Sequence, residues 1–224
     1  MILAIGFIAA VGWFIAREMR FRYRPEAGPG ERLGVDVSHY QGSIEWAAVA
    51  SDGITFAYIK STEACDWVDD TFAANWTGAR RAGIDVGAYH FFTLCRTGED
   101  QAANFLATVP LDEADLPFAV DLEYANNCAD RPPAEQLQRE LGIFLGLVED
   151  ATGQPVLLYV EDEFDDTYDV LNTFDQPTWE RSLRRRPSDD RGAIWQASDT
   201  ARVAGIDGGV DLDLMSADCC GPRT

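Results

Sequence analysis

The chain has 224 residues, a formal net charge of −20 and a pI near 4.2, with 46% hydrophobic and 11% aromatic side chains. That apolar content is ample for a buried core, and the length fits one domain of barrel size. The negative charge argues against nucleic acid or an anionic membrane surface as a partner, because both would repel the chain.

Residues Ile2–Ala16 form a nearly unbroken apolar run of 15. A membrane span takes about 20 residues and a signal h-region about 7–15, so 1–16 is expected to be a signal or membrane-anchor segment. Arg17, Arg20, Arg22 and Arg24 follow it and would favour cytoplasmic retention. The expectation is nonetheless export to the periplasm or the exterior, with an uncleaved or poorly cleaved anchor as the only membrane contact. Residues 17–32 read as a linker, 33–218 as one domain and 219–224 as a tail.

From Leu33 onward, strand patterns alternate with helical ones. Leu33–Val37 reads as a strand. Ser43 can cap a helix that runs to Ser51, where Asp52-Gly53 stops it. Ile54–Ser61 is a second strand, and Asp69 or Asp70 can cap a helix over Thr71–Ala82. Ile84–Phe92 is a third strand, followed by a helix over Gly98–Val109. Leu116–Tyr124 is a short buried strand opened by Pro117, a residue tolerated at a strand start. A long helix is expected over Pro133–Thr152, a strand over Pro155–Val160 and a short acidic helix over Glu161–Leu171. Thr178–Arg186 has a weaker pattern, and Ala193–Ala197 and Val210–Leu214 read as late strands. The alternation implies a mostly parallel sheet in an α/β domain.

Chemistry concentrates where strands finish. Asp121 and Glu123 lie two residues apart, so on a strand they project from one face with backbones about 6.6 Å apart. Like charges this close push one pKa up, which suits a division of labour between proton donor and anion. Asp36, Lys60 with Glu63, Tyr89 with His90, Tyr159, Trp195 with Gln196, and Asp211 occupy comparable positions. In a parallel barrel such ends converge on one rim, where active sites lie.

Several segments, in order, resemble glycoside hydrolase family 25, the Chalaropsis-type lysozymes. They are Gly34-Val-Asp-Val-Ser-His-Tyr-Gln-Gly42 with Ile44 and Trp46; Tyr58-Ile-Lys-Ser-Thr-Glu63 with Asp69, Phe72, Asn75 and Trp76; Gly83–Phe92; Ala119-Val-Asp-Leu-Glu123; Ile194-Trp-Gln196; and Gly209-Val-Asp-Leu-Asp213. The resemblance implies an irregular, flattened TIM-like β/α barrel. It also implies hydrolysis of the β-1,4 bond between N-acetylmuramic acid and N-acetylglucosamine in peptidoglycan glycan strands. Glu123 would be the general acid, Asp121 would orient or charge-stabilise the substrate acetamido group, and Asp36 and Asp211 would complete an acidic cluster. Attack by the acetamido oxygen would give retention, and a water activated by a carboxylate would give inversion; the Asp-x-Glu pair favours the first. Tyr40, Tyr89, Tyr159 and Trp195 are candidate sugar platforms, with Tyr58, His90 and Gln196 as further candidate substrate contacts. No cofactor or metal is implied, and a monomer is expected. The chain departs from the family pattern at Tyr159-Val-Glu-Asp-Glu163, at Trp179-Glu-Arg181 with Arg184–Arg186 after it, and at Asp213, where the family usually carries Asn.

Of five cysteines, Cys65, Cys95, Cys128, Cys219 and Cys220, none is spaced for zinc. Cys95 and Cys128 follow the third and fourth strands, on loops that would be rim neighbours, and are expected to form a disulfide. A catalytically silent peptidoglycan-binding module on the same fold is the alternative reading. A metal-dependent deacetylase would need more histidine than His39 and His90.

Overall fold

The computed structural model describes residues 23–187, 192–217 and 219. The apolar run Ile2–Ala16 lies outside them, and among the described residues no helix is long and apolar enough to cross a membrane.

Strand parity closes the sheet on itself. The strands are β1 (Arg32–Val37), β2 (Phe56–Glu63), β3 (Trp67–Val68), β4 (Asp85–Phe91), β5 (Ala119–Leu122), β6 (Leu157–Val160), β7 (Thr178–Arg181), β8 (Gly192–Ala201) and β9 (Val210–Met215). Successive side chains point to opposite faces. One set, including Val35, Ala57, Ile59, Val86, Ala88, Val120, Leu158 and Leu212, packs outward against the helices. The other, including Phe56, Tyr58, Ala119, Leu157, Tyr159, Trp179 and Met215, fills the interior. Neighbours run β1-β9-β8-β7-β6-β5-β4-β2, and β1 also pairs with β2, so eight strands form a closed barrel. The ninth, β3, lies outside it as a short antiparallel strand on β2.

The helices are α1 (Trp46–Ser51), α2 (Phe72–Arg81), α3 (Gly98–Thr108), α4 (Ala134–Thr152), α5 (Asp162–Tyr168) and α6 (Val170–Thr173). On α4, Leu137, Leu141, Phe144, Leu145 and Val148 recur at helical spacing and are all buried. Gly153, at φ 68°, ends that helix in the left-handed conformation. Thr97 caps α3 by accepting from the Asp100 N–H.

Several local expectations need correction. Glu45, not Ser43, precedes α1, and no side chain caps it; its N–H bonds instead to the Gly205 carbonyl. The acidic stretch after β6 makes two helices rather than one, because Asp169 at φ 50° breaks the run. The hairpin strand β3 has no periodic signal, being two residues long. The sheet is mostly parallel as read, but β9 is antiparallel to both β8 and β1. Its direction reverses the meaning of position: Asp211 stands near the start of β9, and for that reason reaches the same rim as the ends of the parallel strands.

Cys95 and Cys128 form a disulfide between the loops after β4 and β5, with Cα atoms 6.3 Å apart. Cys65 is a free thiol.

Two strand glycines give the interior aromatics their space. A Cβ on Gly34 would lie 2.3 Å from the Phe56 ring, and one on Gly87 would lie 2.5 Å from Tyr58. Gly34→Ala should therefore destabilise the protein by about 2 kcal/mol through overpacking, read as a lower midpoint in urea denaturation.

Candidate active site

One end of the barrel interior is apolar and the other is acidic. Tyr58 and Trp179 rings meet at 4.8 Å, and Trp179 and Tyr159 at 5.5 Å, forming an aromatic plug. Beside it opens a cleft of about 310 Å³ lined by Asp36, Tyr40, Lys60, Glu63, Tyr89, Asp121, Glu123, Tyr159, Glu161, Arg181, Gln196 and Asp211.

The backbone brings the carboxyls together. Asp36 on β1 is the direct register partner of Asp211 on β9. Asp121 on β5 lies opposite Phe91 on β4 and Tyr159 on β6. Glu123 follows β5 immediately and is fixed from behind. The Asn127 amide donates to the carbonyls of Glu123 (3.0 Å) and Phe92 (2.9 Å), and its oxygen accepts from the Leu94 and Cys128 N–H groups. The disulfide next to Asn127 ties the same two loops covalently.

Inside the barrel a chain of hydrogen bonds sets Asp36. The Tyr159 hydroxyl donates to Gln196 Oε1 at 3.2 Å, and Gln196 Nε2 donates to Asp36 Oδ2 at 3.0 Å. Asp213, fully buried, accepts from the Trp179 indole N–H at 3.0 Å. Its Oδ2 meets no N–H or hydroxyl donor. The neighbouring Asp36 and Asp213 carboxyls also act on each other, which lowers Asp36 and raises Asp213.

Burial raises every acid in this cluster. Glu123 is pushed up to about 7, by burial first and then by Glu161, with Lys60 opposing. Asp36 rises to about 6 through burial, against the Gln196 and Asp213 hydrogen bonds. Asp211 rises to about 9 through burial and the nearby Asp36 and Asp199 charges. Asp121 and Asp213 are held well above the usual carboxylate range, Asp121 by burial and then Glu123. Asp121 Oδ1 is buried without a donor. The cleft thus holds protonated acids at neutral pH, the condition for donating a proton to a leaving oxygen.

Parity separates the remaining candidates. Tyr89 faces the cleft, whereas its neighbour His90 faces the helices. There His90 is fully buried, stacks on Phe144 at 5.0 Å and bonds Thr62 Oγ1 (2.7 Å) and Gln101 Oε1 (3.2 Å). Burial lowers its pKa to about 3. Gln196 faces inward, and Trp195 faces away, donating to the Ser182 carbonyl at 2.7 Å beneath the Arg186 guanidinium. Tyr58 points inward but lies below the cleft floor, donating to the Pro117 carbonyl at 3.0 Å. Strand alternation in the sequence carried the signal that sets Tyr89 and Gln196 apart from His90 and Trp195. Glu161 and Arg181, which the sequence argument met only as parts of departures from the family pattern, each follow or end a strand on the same inward parity. Among the described residues, no group of three or more His, Cys, Asp or Glu is arranged to hold a metal ion.

A closed strand-and-helix barrel with protonated acids at one rim defines a barrel enzyme built for acid–base chemistry. Comparison narrows the class. A sequence model described as glycosyl hydrolases family 25 matches residues 35–206. The uncharacterized protein YegX of Escherichia coli K12 is 34% identical over 192 residues, covering 82% of this chain and 69% of the relative. Lysozyme M1 of Streptomyces globisporus is 33% identical over 214 residues, covering 85% and 73%. The structure of a family 25 glycosyl hydrolase from Bacillus anthracis superposes with a TM-score of 0.75 at 34% identity, covering 87% of this chain and 93% of the other. The chain belongs to glycosyl hydrolase family 25 and is a glycosidase.

The raised acids couple stability to pH. Asp213 has a folded pKa above its ordinary value of 3.8, so its contribution is complete below that value and is lost as pH rises toward the folded one. Asp213→Asn keeps an acceptor for Trp179 and cannot ionise. Its melting temperature should lie closest to wild type below pH 4 and exceed it increasingly as pH rises above that, as measured by calorimetry from pH 3.5 to 9.

Proposed function

We propose that the protein is a muramidase that hydrolyses the β-1,4 bond between N-acetylmuramic acid and N-acetylglucosamine in peptidoglycan. The observation that carries this reading is Glu123 with a pKa raised to about 7, facing the cleft beside Asp121. A glycosidic oxygen is a poor leaving group, and a carboxyl that is partly protonated at neutral pH can supply the proton it needs. Glu123 protonates that oxygen. Asp121, whose Oδ1 lacks a donor, receives the N–H of the substrate acetamido group. That new bond favours the ionised form of Asp121 and aims the acetamido oxygen at the anomeric carbon, giving retention. Asp36, raised only to about 6 and oriented through Gln196 and Tyr159, faces the positive charge that develops on the sugar, with Asp211 beside it completing the acidic cluster. The substrate puts the site of action outside the cytoplasmic membrane, in line with an export segment at the N-terminus.

Glu123→Gln should reduce lysis of purified peptidoglycan by about a thousandfold while leaving binding intact. Equal, low activity in wild type and variant would instead indicate a binding module. Mass spectrometry of the released muropeptides should find N-acetylmuramic acid at the reducing end.

The general acid must be protonated, so the rate should fall as pH rises through about 7. Glu161 is the largest charge acting to raise Glu123. Glu161→Gln should therefore move that alkaline limb to lower pH, which a pH–rate profile of kcat/KM will detect.

A further inference from the structure

The cleft lies at the small end of the range for ligand pockets, about 300–1,000 Å³. It suits the sugars flanking the scissile bond, and a longer strand must run out over the surface. The wall on the β1–β2 side has an unusual surface for that. Tyr40 lines the cleft mouth and is 73% exposed, the most open of the large hydrophobic side chains among the described residues. Its ring lies 4.2 Å from His39, and His39 lies 5.4 Å from Trp67 in an edge-on arrangement. Trp67 belongs to β3, the strand outside the barrel. The three rings therefore form a continuous run from the cleft mouth to the strand outside the barrel. On the cleft side Lys60 Nζ sits 5.1 Å from the Trp67 ring and bonds Glu63 at 2.9 Å.

An exposed ring contributes little to folding, yet Tyr40 and the half-buried His39 beside it are held in place at several points. Ser38 and Gln41 form a reciprocal cap around the turn that carries His39 and Tyr40. The His39 N–H and Nδ1 both contact Asp69 Oδ2, at 2.9 and 3.1 Å. Asp69 is itself buried, and its other oxygen accepts from the Thr71 N–H (2.9 Å) and hydroxyl (2.6 Å). A surface fixed before its ligand arrives loses little entropy on binding. The C–H faces of pyranose rings pack on aromatic faces, and Lys60 and Glu63 offer hydrogen bonds to hydroxyl and acetamido groups at the same edge.

We propose that Tyr40, His39 and Trp67 form an outer glycan subsite that takes an N-acetylhexosamine unit of the strand beyond those at the scissile bond. This rests on the muramidase reading. Its consequence is a preference for long strands, produced by residues that take no part in the chemistry.

The test uses peptide-free glycan strands from peptidoglycan, fractionated into tetrasaccharides and long strands, with calorimetric binding to the full chain carrying Glu123→Gln. Affinity should rise with length. Adding Trp67→Ala should lower the ratio of long-strand to tetrasaccharide affinity about tenfold, Tyr40→Ala should act in the same direction, and Trp67→Phe should retain most of the ratio. Unchanged thermal unfolding of the Tyr40→Ala protein excludes misfolding as the cause. Equal losses at both lengths, or none, overturn the subsite while leaving the muramidase reading in place. Failure to bind any fraction overturns the muramidase reading and the subsite with it.

Discussion

Crowding of carboxyl groups into the mouth of a closed barrel is the constraint on which the remaining structure depends. Asp36, Asp121, Glu123, Asp211 and Asp213 could not all be ionised at such separations in a partly desolvated space. The fold answers with protons rather than with counter-charges. Among the described residues only Lys60 and Arg181 bring positive charge to the cleft, and each is already paired, Lys60 with Glu63 and Arg181 with Asp199. The aromatic floor of Tyr58, Tyr159 and Trp179 keeps the dielectric low beneath the acids. It also supplies two of the donors that orient them, the Tyr159 hydroxyl and the Trp179 indole. Removing water from the site and raising its acids are one arrangement seen from two sides.

Rigidity behind Glu123 follows a similar logic. A general acid is useful only if its position does not depend on the loop that bears it. Asn127 uses all of its amide hydrogen-bonding capacity on the backbone of the β4 and β5 loops, and the Cys95–Cys128 disulfide spans the same gap. The proposed donor therefore sits on a loop with the fixity of a strand.

Much of this was legible in the chain. Alternation of strands and helices gave a mostly parallel sheet, because parallel strands need crossovers that cover the outer face, and the resemblance to family 25 implied its closure into a barrel. The acids Asp36, Asp121, Glu123 and Asp211 stood out because reactive side chains recurred at the same place in successive strands. Motif matching alone did not sort the members of Tyr89-His90 and Trp195-Gln196, where one residue faces the cleft and the other the helices. Counting parity from Val86 or Ile194 would have sorted them. What was not legible depended on distant partners: the reversal of β9, the left-handed Asp169 that splits a helix, and the two-residue β3. Asp213 was visible as a departure from the family's Asn, but its meaning required Trp179 and Asp36, which lie 34 and 177 residues away in sequence.

The antiparallel last strand also sets an order of events. Asp36 arrives with the first strand of the domain and Asp211 and Asp213 with the final one, and the barrel closes only when β9 docks between β1 and β8. Until β9 has been made, the barrel has two unzipped edges, on β1 and β8, and lacks two of the five acids. The cluster is complete only once the last barrel strand has docked, and a chain that stops before Asp211 holds an incomplete one.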